Sequence, residues 1–231
     1  MTHLTSLQTD FIESVLSLKP TVATFDCDGT LWSGDAGEGF FSWELEQGLV
    51  SKEVAEWARA RYADYKAGQV AEEVMCGEMV TMQRGLREEV VQQAANTYFA
   101  QGIASNIFPE MHELVQRLRA SRCDVWAVSS SCQWIIRSGM RSFGIPQNRI
   151  LAAEVAVENG TVTGRLIRVP SGPGKPEAIR AVLKSAPDCA FGNAIWDREM
   201  LAMSKHPFAI NPNPNLKEVA LANGWTVYMS A

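Results

Sequence analysis

Asp26 and Asp28 stand one residue apart where the short β-branched and aromatic run Thr21–Phe25 ends, inside Thr24-Phe25-Asp26-Cys27-Asp28-Gly29-Thr30-Leu31. If strand alternation holds through Asp28, both carboxylates share a face, because residues i and i+2 of a strand do. Two acids on one face can divide labour. One stays ionised as nucleophile and metal ligand, while its neighbour, its pKa raised by like charge and desolvation, donates a proton. An Asx-type turn would also use Asp-Gly, but it does not account for the whole octet.

Three further stretches carry candidate chemistry. Val125-Trp126-Ala127-Val128-Ser129 is an apolar run that enters a Ser-rich turn with Ser130, where a hydroxyl and the amides of the next helix start suit a phosphate oxygen. Gly172-Pro173-Gly174-Lys175-Pro176 presents a point cation that would neutralise phosphate charge. It is not a Walker loop, because Val169 takes the place of the first Gly and Pro176 that of the Ser or Thr. Ala190-Phe191-Gly192-Asn193-Ala194-Ile195-Trp196-Asp197 places an amide and an acid after another apolar run; Asn193 could ligate a hard cation or cap the following helix. A rival chemistry, the Cys-to-Arg phosphate loop, is approximated by Cys132 to Arg137 with four intervening residues rather than five and no glycines.

These residues need a scaffold, and 231 residues suffice for one large α/β domain or a core with a smaller insertion. The composition, 46% hydrophobic and 20% charged, is that of a globular chain. A net charge of −5 with no Lys/Arg-rich run gives no footprint for nucleic-acid phosphates or an anionic membrane, so a small molecule is the expected partner. No secretory signal pattern and no apolar span of bilayer length occur, and a cytoplasmic location is expected. Five cysteines without a C-x-x-C pair argue against disulfides or zinc, and His3, His112 and His206 are too scattered for a histidine metal cluster.

The spacing predicts a helix over 7–18, a strand over 21–25, and four helices over about 37–47, 51–66, 70–83 and 87–99. Helix and strand alternate after that: a helix over 110–120, a strand over 124–129, a helix over 131–143, a hairpin of 152–157 with 161–168, and a helix over 176–184. Short strands at 189–191, 208–210 and 226–228 complete a mostly parallel sheet, interrupted after its first strand by a helical insert. Ligands of such sheets sit at the carboxyl ends of the strands.

The octet resembles the first motif, D-x-D-G-T after an apolar strand, of the haloacid dehalogenase superfamily. Ser129, Lys175 and the Gly192–Asp197 stretch match its second, third and fourth motifs in order, with Asn193 in place of the usual first acid of the fourth. The resemblance implies an α/β fold, a Rossmann-like three-layer core over 1–34 and 107–231, and a helical cap domain over 35–106. It implies a phosphatase acting on a small phosphomonoester, with Asp26 as nucleophile and Asp28 as acid and base. Thr30, Ser129, Ser130 and Lys175 would hold phosphoryl oxygens. Mg2+ would be held by Asp26, the Asp28 backbone carbonyl and Asn193, with Asp197 supporting the metal waters or orienting Lys175. Asp28 also separates the chain from the superfamily's dehalogenases, which lack that second acid.

The insert resembles the cap of the phosphoserine-phosphatase-like branch, whose substrate-facing acid falls on Asp35 and whose carboxylate-binding Arg falls on Met79. Phosphoserine would there lose a partner. Asp35 with Trp32 and Trp43 could suit a cationic leaving group, although such tryptophans also pack caps onto cores. Because Asn193 removes a charge from the metal set, the alternative is a catalytically weakened relative that binds a phosphorylated ligand or a protein partner.

Overall fold

In a computed structural model the chain is described over residues 4–230; His3 lies outside them. Helix α1 (Ser6–Ser17) opens with a capping box in which Thr5 accepts from the Gln8 amide and Gln8 accepts from the Thr5 amide. Strand β1 (Val22–Phe25) follows, then helices α2 (Ala36–Glu46), α3 (Lys52–Lys66), α4 (Glu72–Thr81) and α5 (Glu88–Tyr98). After α5 the chain widens into a π-helical turn, Phe99–Ile103, and then tightens into a 3-10 turn, Ala104–Asn106. Helix α6 (Pro109–Ala120) starts on Pro109, where the missing N–H costs nothing. Strand β2 (Asp124–Cys132), helix α7 (Gln133–Phe143), strands β3 (Ile150–Glu158) and β4 (Thr161–Arg168), and helix α8 (Gly174–Val182) come next. The chain ends through β5 (Cys189–Gly192), α9 (Arg198–Met203), β6 (His206–Ile210), α10 (Pro214–Ala222) and β7 (Thr226–Tyr228).

The seven strands form one sheet in the order β4-β3-β2-β1-β5-β6-β7. All pairings are parallel except the β3–β4 hairpin at one edge. This is the expected α/β, Rossmann-like arrangement. Strand β1 is central, flanked by β2 and β5, so the segments leaving these three strands meet above the sheet.

Both faces are covered, which explains why the strands read as continuous apolar runs. On β2, Val125 and Ala127 join a cluster with α1, α6 and α7 residues such as Phe11, Leu114 and Ile135. Trp126 and Val128, one register over, join a cluster with Ile179 of α8, Leu201 of α9 and Leu216 of α10. Phe191 stacks against Phe25 at 4.2 Å and Phe208 at 4.8 Å, tying β5 to both neighbours. Truncating such a ring would cost about 3–5 kcal/mol.

Helices α2–α4 share a third cluster that includes Phe41, Leu45, Ala58 and Met75, whereas Val91 and Ala95 of α5 belong to the first cluster. Ala36 and Phe40 of α2 and Val80 of α4 belong to it as well, so these helices are seated through α5 on α7 and through α2 and α4 on the sheet. Gly139 allows that seat: a Cβ there would meet Phe99 and Trp32 at 2.8 Å.

Three departures from the sequence-based expectations matter. Strand β2 runs on to Cys132 instead of stopping at Ser129. Helix α10 was not anticipated, although Asn213 accepts from the Leu216 amide and Pro214 stands at the first helical position, a local start signal. The short α9 was also missed. Among the described residues no helix is long and apolar enough to cross a membrane.

Candidate active site

The floor of the site is built where β1 ends. Asp26 donates its amide to Phe191 O at 2.8 Å, which continues the β1–β5 ladder by one bond. The chain then turns: Leu31 N reaches Cys27 O at 2.8 Å and Gly29 adopts φ of +72°. Alternation therefore stops before Asp28, and the two carboxylates do not share a strand face as expected. They diverge, yet both line one cavity of about 530 Å3.

Asp26 faces Lys175, which α8 carries in its first turn. Lys175 Nζ donates to Asp26 Oδ1 at 2.7 Å, to Asp197 Oδ1 at 2.5 Å and to Val128 O at 3.1 Å. The lysine is 2% exposed. Burial pulls its pKa down, but the charges of Asp197 and Asp26 outweigh that and the net direction is upward, so the ammonium stays charged. Asp197 Oδ2 accepts from the Asn193 and Ala194 amides, both at 2.9 Å. Asp197 is thus fixed by backbone and holds Lys175 on Asp26. Thr30 donates to Asp26 Oδ2 at 3.1 Å. Desolvation, then the Asp197 charge, push the Asp26 carboxyl upward, while the Lys175 ammonium bonded to it favours the ionised form.

Asp28 turns the other way. Its Oδ1 accepts from Trp32 Nε1 at 2.8 Å and from the Ala36 amide at 2.6 Å; its Oδ2 accepts from the Ser131 hydroxyl at 2.7 Å. Burial raises its pKa, and these three donors hold the rise back. Asp35 caps α2 by accepting from the Glu38 amide at 2.7 Å, and desolvation followed by the Asp28 charge lifts it to about 7.

Of the expected site residues, Asp26, Asp28, Asp35, Ser130, Lys175, Asn193 and Asp197 line the cavity, as does Met79. Thr30 and Ser129 are buried behind that wall; Thr30 holds Asp26, and Ser129 Oγ accepts from the Ser131 amide at 3.1 Å. Trp32 is wholly buried beneath Asp28, and Trp43 packs on Phe40 and Tyr98, so neither tryptophan faces the cavity. Sequence reasoning missed Tyr62, Tyr65, Glu72, Cys76 and Ser131 on the wall. Only Ser131, next to Ser130, had a local signal.

The Cys-to-Arg alternative fails on geometry. Burial pushes the Cys132 thiol up to about 12, and Arg137 is engaged with Glu88 and Glu154. Among the described residues no three His, Cys, Asp or Glu side chains gather with metal-ligand spacing. The donors at the floor are instead oxygens of mixed kind. Asn193 does not cap α9, whose N-cap is Asp197; its amide lies against Gly29, where a Cβ would come 1.8 Å from Nδ2. Asp26, Asp28 and Asn193 line one cavity, whose wall carries six acids, Asp26, Asp28, Asp35, Glu38, Glu72 and Asp197, with Lys175. An oxygen-only set with surplus negative charge fits a hard divalent cation.

Residues 23–202 match the family model for haloacid dehalogenase-like hydrolases. The chain is 26% identical over 215 residues to a Mycobacterium tuberculosis protein named as a probable phosphatase, covering 90% of this chain and 74% of that one. It is 25% identical over 218 residues to a histidinol-phosphatase of Neisseria meningitidis, covering 89% and 97%. Its fold is similar to a Bordetella pertussis protein of unknown function (TM-score 0.78, 20% identity, 90% and 97% covered). It is also similar to a phosphoserine phosphatase captured as a phospho-aspartyl intermediate analogue (TM-score 0.60, 18% identity, 91% and 93% covered). With four motifs in order, the sheet that carries them and a match across most of its length, this chain belongs to the haloacid dehalogenase-like hydrolase family.

Proposed function

We propose that this chain is a magnesium-dependent phosphomonoester hydrolase that transfers the phosphoryl group of a small metabolite to Asp26 and then hydrolyses the aspartyl phosphate. The observation that carries this reading is Lys175 held between Asp26 and Asp197 at the cavity floor. A fixed buried cation beside a carboxylate on a strand end is the arrangement that phosphoryl transfer needs, because its catalysis is mostly positioning and charge stabilisation. Relatives named as phosphatases agree with it.

In this reading an Asp26 oxygen attacks phosphorus while the bond to the alcohol oxygen breaks. Asp28, its pKa raised by burial, gives that oxygen its proton and later takes one from the attacking water. Ser131, whose hydroxyl donates to Asp28 Oδ2, holds that carboxylate in place. Ser130 and Lys175 bind phosphoryl oxygens at the wall. Thr30 and Ser129 act from behind, one orienting Asp26 and the other shaping the turn. Asp26, the Asp28 carbonyl and Asn193 would hold Mg2+, which supplies charge neutralisation of the phosphoryl oxygens. Residues 35–106 are proposed as the cap, with Asp35 and the α3–α4 wall facing the leaving group. Five free cysteines suit a reducing cytoplasm, where we place the protein.

The test is hydrolysis of p-nitrophenyl phosphate with magnesium and with EDTA, by wild type and by Asp26→Asn. An amide cannot form the acyl phosphate, so activity should fall at least about a thousandfold while circular dichroism stays native. Near-wild-type turnover in the variant would remove Asp26 as nucleophile. No turnover in wild type, together with saturable binding of a phosphorylated ligand, would favour the weakened-relative reading that Asn193 motivates.

A further inference from the structure

The cavity above Asp26 is unbalanced in charge. Asp35, Glu38 and Glu72 line it, while among the described residues the one Lys or Arg on its wall is Lys175, which is already held by Asp26 and Asp197. Glu38 is satisfied from outside: Lys66 pairs with it at 3.3 Å and lies 5.1 Å over the Tyr62 ring. That half of the wall shows what the surface accommodates, an ammonium between a carboxylate and a tyrosine face. The same cavity is also lined by Glu72, Asp35 and Tyr65, and the Tyr65 side chain is hydrogen-bonded to Glu72. Glu72 stands in the first turn of α4, Tyr65 lies 5.8 Å from Tyr62 on α3, and Asp35 caps α2. Glu72 accepts from the Ser171 hydroxyl at 2.8 Å, a bond that does not neutralise its charge. The apolar remainder, Met75 and Met79 among it, offers nothing to a carboxylate.

Resting on the phosphatase reading above, we propose that the alcohol released by this site carries an ammonium-type positive charge and no carboxylate, and that Glu72, with Asp35 and the Tyr65 ring, receives that charge. An anionic leaving group would meet two acids with no compensating cation; a cationic one replaces its lost water with carboxylates and an aromatic face. Glu72 is then a specificity-determining residue that no sequence motif marks.

The experiment measures kcat/KM for O-phosphoethanolamine, phosphocholine and histidinol phosphate against glycerol 3-phosphate and O-phosphoserine, in wild type, Glu72→Gln and Ser171→Ala. At least one cationic substrate should exceed both others about tenfold in wild type, and Glu72→Gln should erase most of that ratio, since hydrogen bonds to charged groups are worth that much. Ser171→Ala removes one hydrogen bond to Glu72 but keeps its carboxylate and its bond from Tyr65, so its ratio should stay within about twofold of wild type. Glycerol 3-phosphate or O-phosphoserine turning over as fast as every cationic substrate overturns the proposal. So does an unchanged ratio in Glu72→Gln, or an equal loss in Ser171→Ala, which would make Glu72 merely structural. p-Nitrophenyl phosphate in Asp26→Asn separates the two failures: if its hydrolysis persists, the phosphatase reading has failed instead.

Discussion

Lys175 Nζ lies 2.7 Å from Asp26 Oδ1, with the lysine 2% and the aspartate side chain 9% exposed. Little water screens this pair, and Asp197 on the other side of the same ammonium adds a second acid that depends on it. Lys175→Gln should therefore abolish phosphatase activity and also lower the unfolding free energy by about 3–5 kcal/mol, because two buried carboxylates lose their cation. Urea denaturation at neutral pH checks it. A loss under about 1 kcal/mol would mean that Asp26 and Asp197 are relieved by something other than Lys175.

Asn193→Asp should tighten magnesium binding, since a carboxylate near a divalent cation attracts it as a neutral amide cannot. The half-saturating magnesium concentration should fall about tenfold in kinetics or calorimetry. The metal-free variant should melt lower than wild type, because the new charge joins Asp26, Asp28 and Asp197, and magnesium should restore it. No tightening would exclude Asn193 as a ligand.

Gly29→Ala probes the same corner by sterics. With φ of +72° and a Cβ position 1.8 Å from Asn193 Nδ2, alanine is strained twice. The expected cost is about 1–2 kcal/mol in stability from the backbone, with magnesium affinity weakened as Asn193 is pushed aside. Wild-type magnesium dependence in a destabilised variant would uncouple Asn193 from the metal.

Glu44 gives a pH prediction away from the site. It is 1% exposed in the insert, accepts from Gln83 Nε2 at 2.9 Å, and burial pushes its carboxyl up to about 8. The folded state thus keeps a proton that the unfolded state, titrating near 4.5, releases. The unfolded state binds fewer protons in that window, so Glu44's contribution is full below about 4.5 and is lost as pH rises to about 8. Glu44→Gln keeps an acceptor for Gln83 and carries no proton to lose. Its stability advantage over wild type should grow as pH rises from about 4.5 to about 8, the window set by those two pKa values. A pH-independent difference would show that Glu44 is solvated or already ionised in the folded protein.

The site motifs were legible because their chemistry is local. Asp26, Asp28 and Gly29 need a strand end and a left-handed turn, and apolar strands buried on both faces announce themselves by composition. The Lys175 position was legible for the same reason, through the glycines that shape its approach. The turn at Asp28-Gly29-Thr30 is legible too, but whether alternation carries through Asp28 is not. A strand's alternation cannot be seen to stop in sequence, and here it stops because Leu31 N closes onto Cys27 O.

The sequence by itself determined the seven strands of the core in their order, the strand ends that carry Asp26 and Asn193, and the run of helices after β1, while the core helices α9 and α10 and the extension of β2 past Ser129 escaped it. Each of the former depends on hydrophobic period or turn residues within a few positions. Only the tertiary structure decided that Asp197 holds Lys175 on Asp26, that Thr30 and Ser129 sit behind the wall, and that Glu72 and Tyr65 come to face the cavity. Glu72 and Ser171 are 99 positions apart, and Lys175 and Asp26 are 149 apart. Such meetings arise from how the insert packs on α7 and how the sheet orders its strands, and no local pattern encodes them.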